Sequence, residues 1–289
     1  MLLKYLFSSR KRPYIKGVNN PDRIQVNLQG CELQLTLPPH YSPSGFEPEM
    51  PPRDLANIYD ANLYVEYEDN QPFSQAVFIK QDWAYFGPFW DSPYMARTLF
   101  MATVIRVNCL PEGMSCLNPY HLEQVVMRFL YRLGPEKPEF GEKVVPVNWR
   151  VDTKKGNPWV ICEEHYKPHP QIPVDPKYSV FTSFAIAAID DHHVVSLSFA
   201  NFGSLPINDS ITACNIMRDK VLNSICWQLS PSLQARKGVV LQQFSNTSIS
   251  QYREPEPWVY PVWRDGDRQK GEPDVVIIEP GSPVPAFKP

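Results

Sequence analysis

The stretch FTSFAIAAI-DDHH-VVSLSF, residues 181–199, decides the fold class. It reads as a strand (181–189), a tight polar turn (Asp190, Asp191, His192, His193) and a second strand (194–199). In the second strand Val195, Leu197 and Phe199 fall on one face, with Ser196 and Ser198 on the other. That period of two marks a half-buried strand. After a short loop, Asn208 or Asp209 can cap a helix by accepting from its free amides. Ile211, Cys214, Val221, Leu222, Ile225 and Leu229 then recur at helical spacing and predict a helix over 209–229 with one buried stripe. A hairpin crossed by an amphipathic helix predicts an α+β fold built on antiparallel β-meanders.

Working outward, Ile24, Val26 and Leu28 alternate before Gly30, and Leu33, Leu35 and Leu37 after it, which predicts a hairpin over 20–37. A proline-rich loop, expected to be exposed, covers 38–52, and strands are expected over 61–67, 73–79 and 99–107. Asn118-Pro119 supplies a cap and a first-turn proline, Leu122, Val125, Val126, Phe129 and Leu133 an apolar face, and Gly134-Pro135 a stop. The second principal helix is therefore placed over 119–133. Strands over 145–151 and 159–165 flank the turn Lys154-Lys155-Gly156-Asn157. Because strands, a proline-containing loop and a capped helix come twice, the pattern suggests a duplicated meander-plus-helix unit. The expected divisions are a leader at 1–19, two halves at 20–140 and 141–245, and a proline-rich arm at 246–289.

Composition narrows the function classes. A 289-residue chain with 43% hydrophobic and 12% aromatic residues can bury a sizeable core. A net charge of −3 gives no electrostatic reason to expect nucleic acid as a partner. No run reaches the ~20 apolar residues of a membrane span. At the N-terminus Lys4 interrupts the first apolar run and the basic cluster Arg10-Lys11-Arg12 follows it, the reverse of a secretory signal. The expectation is a cytoplasmic protein without an integral membrane segment, whose six cysteines are small hydrophobes rather than disulfide partners.

Patterns that carry chemistry are sparse. Cys162-Glu163-Glu164-His165 has a spacing zinc could use, but on a strand Cys162 and His165 point to opposite faces and a second ligand pair is missing nearby. Asp190 to His193 suit a hairpin turn better than a catalytic dyad. The sequence contains no G-x-S-x-G, P-loop or dinucleotide fingerprint, and 13 glycines is a low total. The expectation is a non-enzyme, with no catalytic, cofactor or metal residues assigned. Aromatic residues offer the alternative chemistry, protein recognition: Trp83, Tyr85 and Trp90 in the cluster over 83–90, and Trp258 and Trp263 among the prolines of the arm. The run Val275-Val276-Ile277-Ile278 is expected to add an edge strand to the sheet, so that the arm packs along the body.

A meander ending in Val194-Val195-Ser196-Leu197-Ser198-Phe199, then a polar loop and a helix, resembles the Mog1/PsbP-like α+β folds. With Gly156-Asn157-Pro158-Trp159 opening a strand, it also resembles cytosolic immunity proteins and effector-loading chaperones associated with bacterial type VI secretion. The resemblance implies a cytoplasmic immunity protein that neutralises a toxin by binding it. The alternatives are an effector-loading chaperone or adaptor, and an enzyme without a recognisable motif. A homodimer stays open as a second form of association.

Overall fold

Long alternating runs become long strands here, and the order in which they pair fixes the architecture. The computed structural model describes residues 8–9, 12–42, 49–64, 71–88, 94–132, 142–167, 179–203 and 207–288. In chain order these form β1 (Tyr14–Ile15), β2 (Asp22–Leu28), β3 (Cys31–Leu37), β4 (Phe73–Phe86) and β5 (Ala96–Val107). Helix α1 (Pro119–Arg132) leads to β6 (Glu142–Lys154), β7 (Asn157–Lys167), β8 (Ser179–Ala188) and β9 (His193–Gly203). Helix α2 (Ile207–Asn223), β10 (Cys226–Gln228) and helix α3 (Pro231–Gln243) follow, and β11 (Glu256–Val259), β12 (Val262–Asp265) and β13 (Val275–Glu279) end the series.

One antiparallel eight-stranded sheet runs β1-β4-β5-β9-β8-β7-β6-β11. The β5–β9 pairing joins the two expected halves edge to edge, so they share a single sheet. The α+β class and its antiparallel sheet are as the alternation predicts. The hairpin β2–β3 turns at Gln29-Gly30, where φ is 54° and 80°. Positive φ at both central residues is the geometry that follows the strand twist, and glycine adopts it without a Cβ penalty.

The sheet is covered on both faces. On one face Trp83, Phe100, Trp159, Leu197 and Phe199 pack with α2 (Cys214, Met217, Val221, Leu222) and with a small sheet ordered β10-β3-β2. On the other, Phe73, Ile105, Val160, Phe184 and Val194 pack with α1 (Leu122, Val125, Val126, Phe129, Leu130). Ser196 and Ser198 are buried too, so β9 is not the half-buried strand that its alternation suggests. Small serines let the covering layer come close to the backbone, and composition alone cannot separate that from solvent exposure.

Several local expectations are corrected. The second helix ends at Asn223 rather than 229, because Cys226, Trp227 and Gln228 pair with Gln34, Leu33 and Glu32 of β3. The helix starts at Ile207, ahead of the expected start at Asn208 or Asp209. Helix α3 is additional, with Ser230 as N-cap and Pro231 in its first turn. Residues 61–63 form a 3-10 turn, not a strand, and residues 65–67 of that expected strand lie outside the described residues. The described ends of the proline-rich loop are only partly exposed: Tyr41 donates to the Asp82 carbonyl and Met50 to that of Lys80, so these residues shield the outer edge of β4. Leu133, Gly134 and Pro135, at the expected end of α1, lie outside the described residues.

Candidate functional site

The Asp190–His193 stretch is a turn, as expected, but a buried one. Asp190 Oδ1 accepts from the backbone N–H of His192 and of His193, both at 2.8 Å, and from the His193 ring Nδ1 at 2.9 Å. Tyr59 donates its hydroxyl to Asp190 Oδ2 at 2.7 Å, and its ring meets the His193 imidazole edge-on. Burial alone would raise the Asp190 carboxyl, yet the His193 ring and the other donors outweigh it and hold it below the usual value. His192 points to solvent and Asp191 pairs with Arg236 at 2.9 Å. The four residues thus divide by position: two lock the turn inside and two face outward.

The adjacent acids of β7 face opposite sides, as strand geometry requires. Glu163 is buried with α2, where it accepts from Arg218, from His165 at 2.8 Å and from Asn148 at 3.1 Å. Burial pushes Glu163 up, but the His165 and Arg218 donors overcome it and hold the carboxyl low. Glu164 faces α1 and pairs with the fully buried Lys143 at 2.8 Å, while Tyr166 donates to it at 3.0 Å. Here desolvation dominates, raising Glu164 and lowering Lys143, so both lean towards neutrality. Cys162 lies in the α1-side core and His165 on the other face. Both clusters are closed by partners within the chain.

The expected recognition aromatics separate. Trp83 and Tyr85 are wholly buried in the sheet core, Trp83 stacked on Phe100 and Tyr85 bonded to Thr98. They are core residues, a correction that follows from β4 continuing to Phe86 under the covering loop. Trp90 lies outside the described residues. Trp258 is buried, with its ring against Tyr131 of α1 and near the Lys143 ammonium. Among the described ones, only Trp263, half-buried, stands on a strand that belongs to neither core sheet.

That strand is part of the arm, whose attachment is extensive. Ser250 N–H donates to Glu123 at 2.7 Å, Arg253 pairs with the same carboxylate at 2.5 Å, and Trp149 donates to the Ser250 carbonyl. Strand β11 pairs with β6 at the sheet edge. Tyr131 then donates to the Ser282 carbonyl, Arg128 to that of Pro285, and Gln124 to that of Lys288. The arm packs along the body, but β11 rather than 275–278 supplies the edge strand.

Strand β13 instead pairs with β12, forming a separate two-stranded ribbon between those anchors. Ile277 and Ile278 are 52% and 57% exposed, and Val262 and Val275 are exposed as well. The ribbon is well braced. Ion pairs Arg264–Glu272 (2.7 Å), Arg268–Asp274 (2.9 Å) and Lys270–Asp267 (3.1 Å) hold its loop. A Cβ at Gly266 would lie 1.6 Å from the Pro273 carbonyl oxygen, so glycine permits the closure. At the base, Ser282 N–H donates to Val259 O and Val259 N–H to Ser282 Oγ, both at 2.9 Å. This ribbon is the candidate site. A run of four β-branched residues signalled a strand, and nothing in the run identified which strand it would join.

No family model, curated protein or solved structure matches this chain. Physical chemistry of its own residues therefore carries the functional reading.

Proposed function

We propose that the chain is a protein-binding protein that acts in the cytoplasm as an immunity protein, neutralising a toxin by covering it with the β12–β13 ribbon. The observation that supports the reading is the ribbon's combination of exposed aliphatic residues and firm anchorage. Leaving an aliphatic surface in water forgoes roughly 25 cal/mol for each Å² that could be buried, and a braced hairpin cannot fold back to hide it. Covering by a partner recovers that energy, and the ordered loop lowers the entropy that binding would otherwise cost.

The test is co-expression with the product of the gene beside its own. A stable complex together with relief of that product's toxicity is the expected result. A stable complex with no relief would move the reading to an effector-loading chaperone. Absence of any complex would overturn it.

A further inference from the structure

Lys143 of β6 and Glu164 of the adjacent β7 are pressed together in a way that hydrogen bonding does not account for. Their side chains are 0% and 3% exposed, and Lys143 Nζ lies 2.8 Å from Glu164 Oε2. Yet Oε2 accepts no hydrogen bond among the described residues, because Lys143 donates to the Leu130 carbonyl at 2.6 Å. The other carboxyl oxygen, Oε1, accepts from the Tyr166 hydroxyl at 3.0 Å. Trp258 of β11 stands opposite Lys143 in the sheet, with its ring 5.9 Å from Nζ, and helps to keep water out. A buried ion pair that lacks its hydrogen bond recovers little of what burying two charges costs. Burial raises Glu164 and lowers Lys143, which brings the acid and the amine towards their neutral forms.

We infer that Lys143 and Glu164 condense into an intramolecular amide that ties β6 to β7. The ammonium first passes one proton to Oε2, which leaves a neutral amine beside a neutral acid. The amine lone pair then attacks Cδ, forming the Nζ–Cδ bond, while the electrons of the Cδ–Oε1 double bond move onto Oε1. Tyr166 donates to that oxygen and stabilises the charge that develops there. A second proton moves from Nζ to Oε2, the Cδ–Oε2 bond breaks, and Oε2 departs as water while the carbonyl re-forms. The step needs no other reactant, since an ammonium and a carboxylate contain the atoms of one amide and one water. Holding amine and acid in contact supplies the proximity that such a reaction lacks in solution.

The pocket suits the product better than the pair. An amide has one N–H and one carbonyl oxygen, and the two are already matched, by the Leu130 carbonyl and by the Tyr166 hydroxyl. The unpartnered atom, Oε2, is the one that leaves. The link would lie beneath β11, at the edge where the arm joins the sheet.

Intact-mass spectrometry of the denatured full chain tests this. The expected mass is lower than that of the sequence by one water. Digestion should yield a branched peptide in which the segments holding Lys143 and Glu164 are joined. The double variant Lys143→Met/Glu164→Met keeps the volume without the charges, so it should fold and show its full sequence mass. Tyr166→Phe removes the donor to Oε1 and should slow the linking of freshly made chain roughly 100-fold. A wild-type chain that keeps its full sequence mass after prolonged incubation in the folded state would overturn the inference. So would a water deficit that persists in the double methionine variant, or a branch joining other residues.

Discussion

At the scale of single residues, buried charges carry the strongest consequences. Glu163 and Arg218 meet beneath α2, with His165 and Asn148 completing the carboxylate's partners. Arg218→Met strands Glu163 without its main counter-charge and should cost about 3–5 kcal/mol of stability, measured by urea denaturation. Adding Glu163→Gln to that variant should restore part of the loss, because the uncompensated charge is then gone. The held-down carboxyls also set the pH response. Glu163 and Asp190 both sit below their ordinary values. The stability they contribute is complete above about pH 5 and is lost as the pH falls through their lowered folded values. Glu163→Gln should flatten that acid limb, whereas an unchanged slope would show that other groups control it.

The turn offers a paired residue-scale test. His192 faces solvent, so His192→Asn should change the melting temperature little. His193 is buried and bonded to Asp190 through its ring, so His193→Asn should cost about 1–3 kcal/mol. From sequence the two histidines look equivalent. A period-two strand beginning at one of them does not reveal that the loop carrying Tyr59 will roof the other.

At the scale of elements, the helices show what was legible. Helix α1 announced itself through Asn118 and Pro119, and Asn118 Oδ1 does accept from Tyr120 N–H at 2.9 Å. The stripe of α2 is buried through Leu222; Ile225 and Leu229 keep helical spacing beyond the helix end, but Trp227 belongs to the small sheet. Long-range pairing overrode the local pattern. Helix α3 leaves little trace in the sequence because Val240 is its only fully buried residue, which gives almost no apolar period, although Ser230-Pro231 is a readable start. Leu222→Asp tests the shared core of α2 and should leave the protein unfolded, since an unpaired carboxylate would face that core. A folded, cooperatively melting variant would place the stripe elsewhere.

For the whole molecule, one sheet sandwiched between two unlike covers explains why both halves of the sequence are needed to build either core. Its edges are managed by short segments: β1 together with Tyr41, Met50 and Arg53 along β4, and β11 with Pro257 along β6. Arm and ribbon therefore differ in purpose. Removing residues 246–289 should lower the melting temperature and promote aggregation, because it uncovers β6 and strips Ile249 and Trp258 from the α1-side core. Replacing only 262–279 by a short glycine-serine link should leave melting almost unchanged, as the ribbon contributes no residue to either core. Equal losses from both deletions would mean that the ribbon is structural after all.

The most direct measurement of the central claim is hydrogen exchange on the complex with the neighbouring gene's product, compared with the chain alone. Protection concentrated over 262–279, with the sheet strands unchanged, is the predicted footprint. Protection confined to another surface, leaving the ribbon amides exchanging as they do in the free chain, would contradict the account.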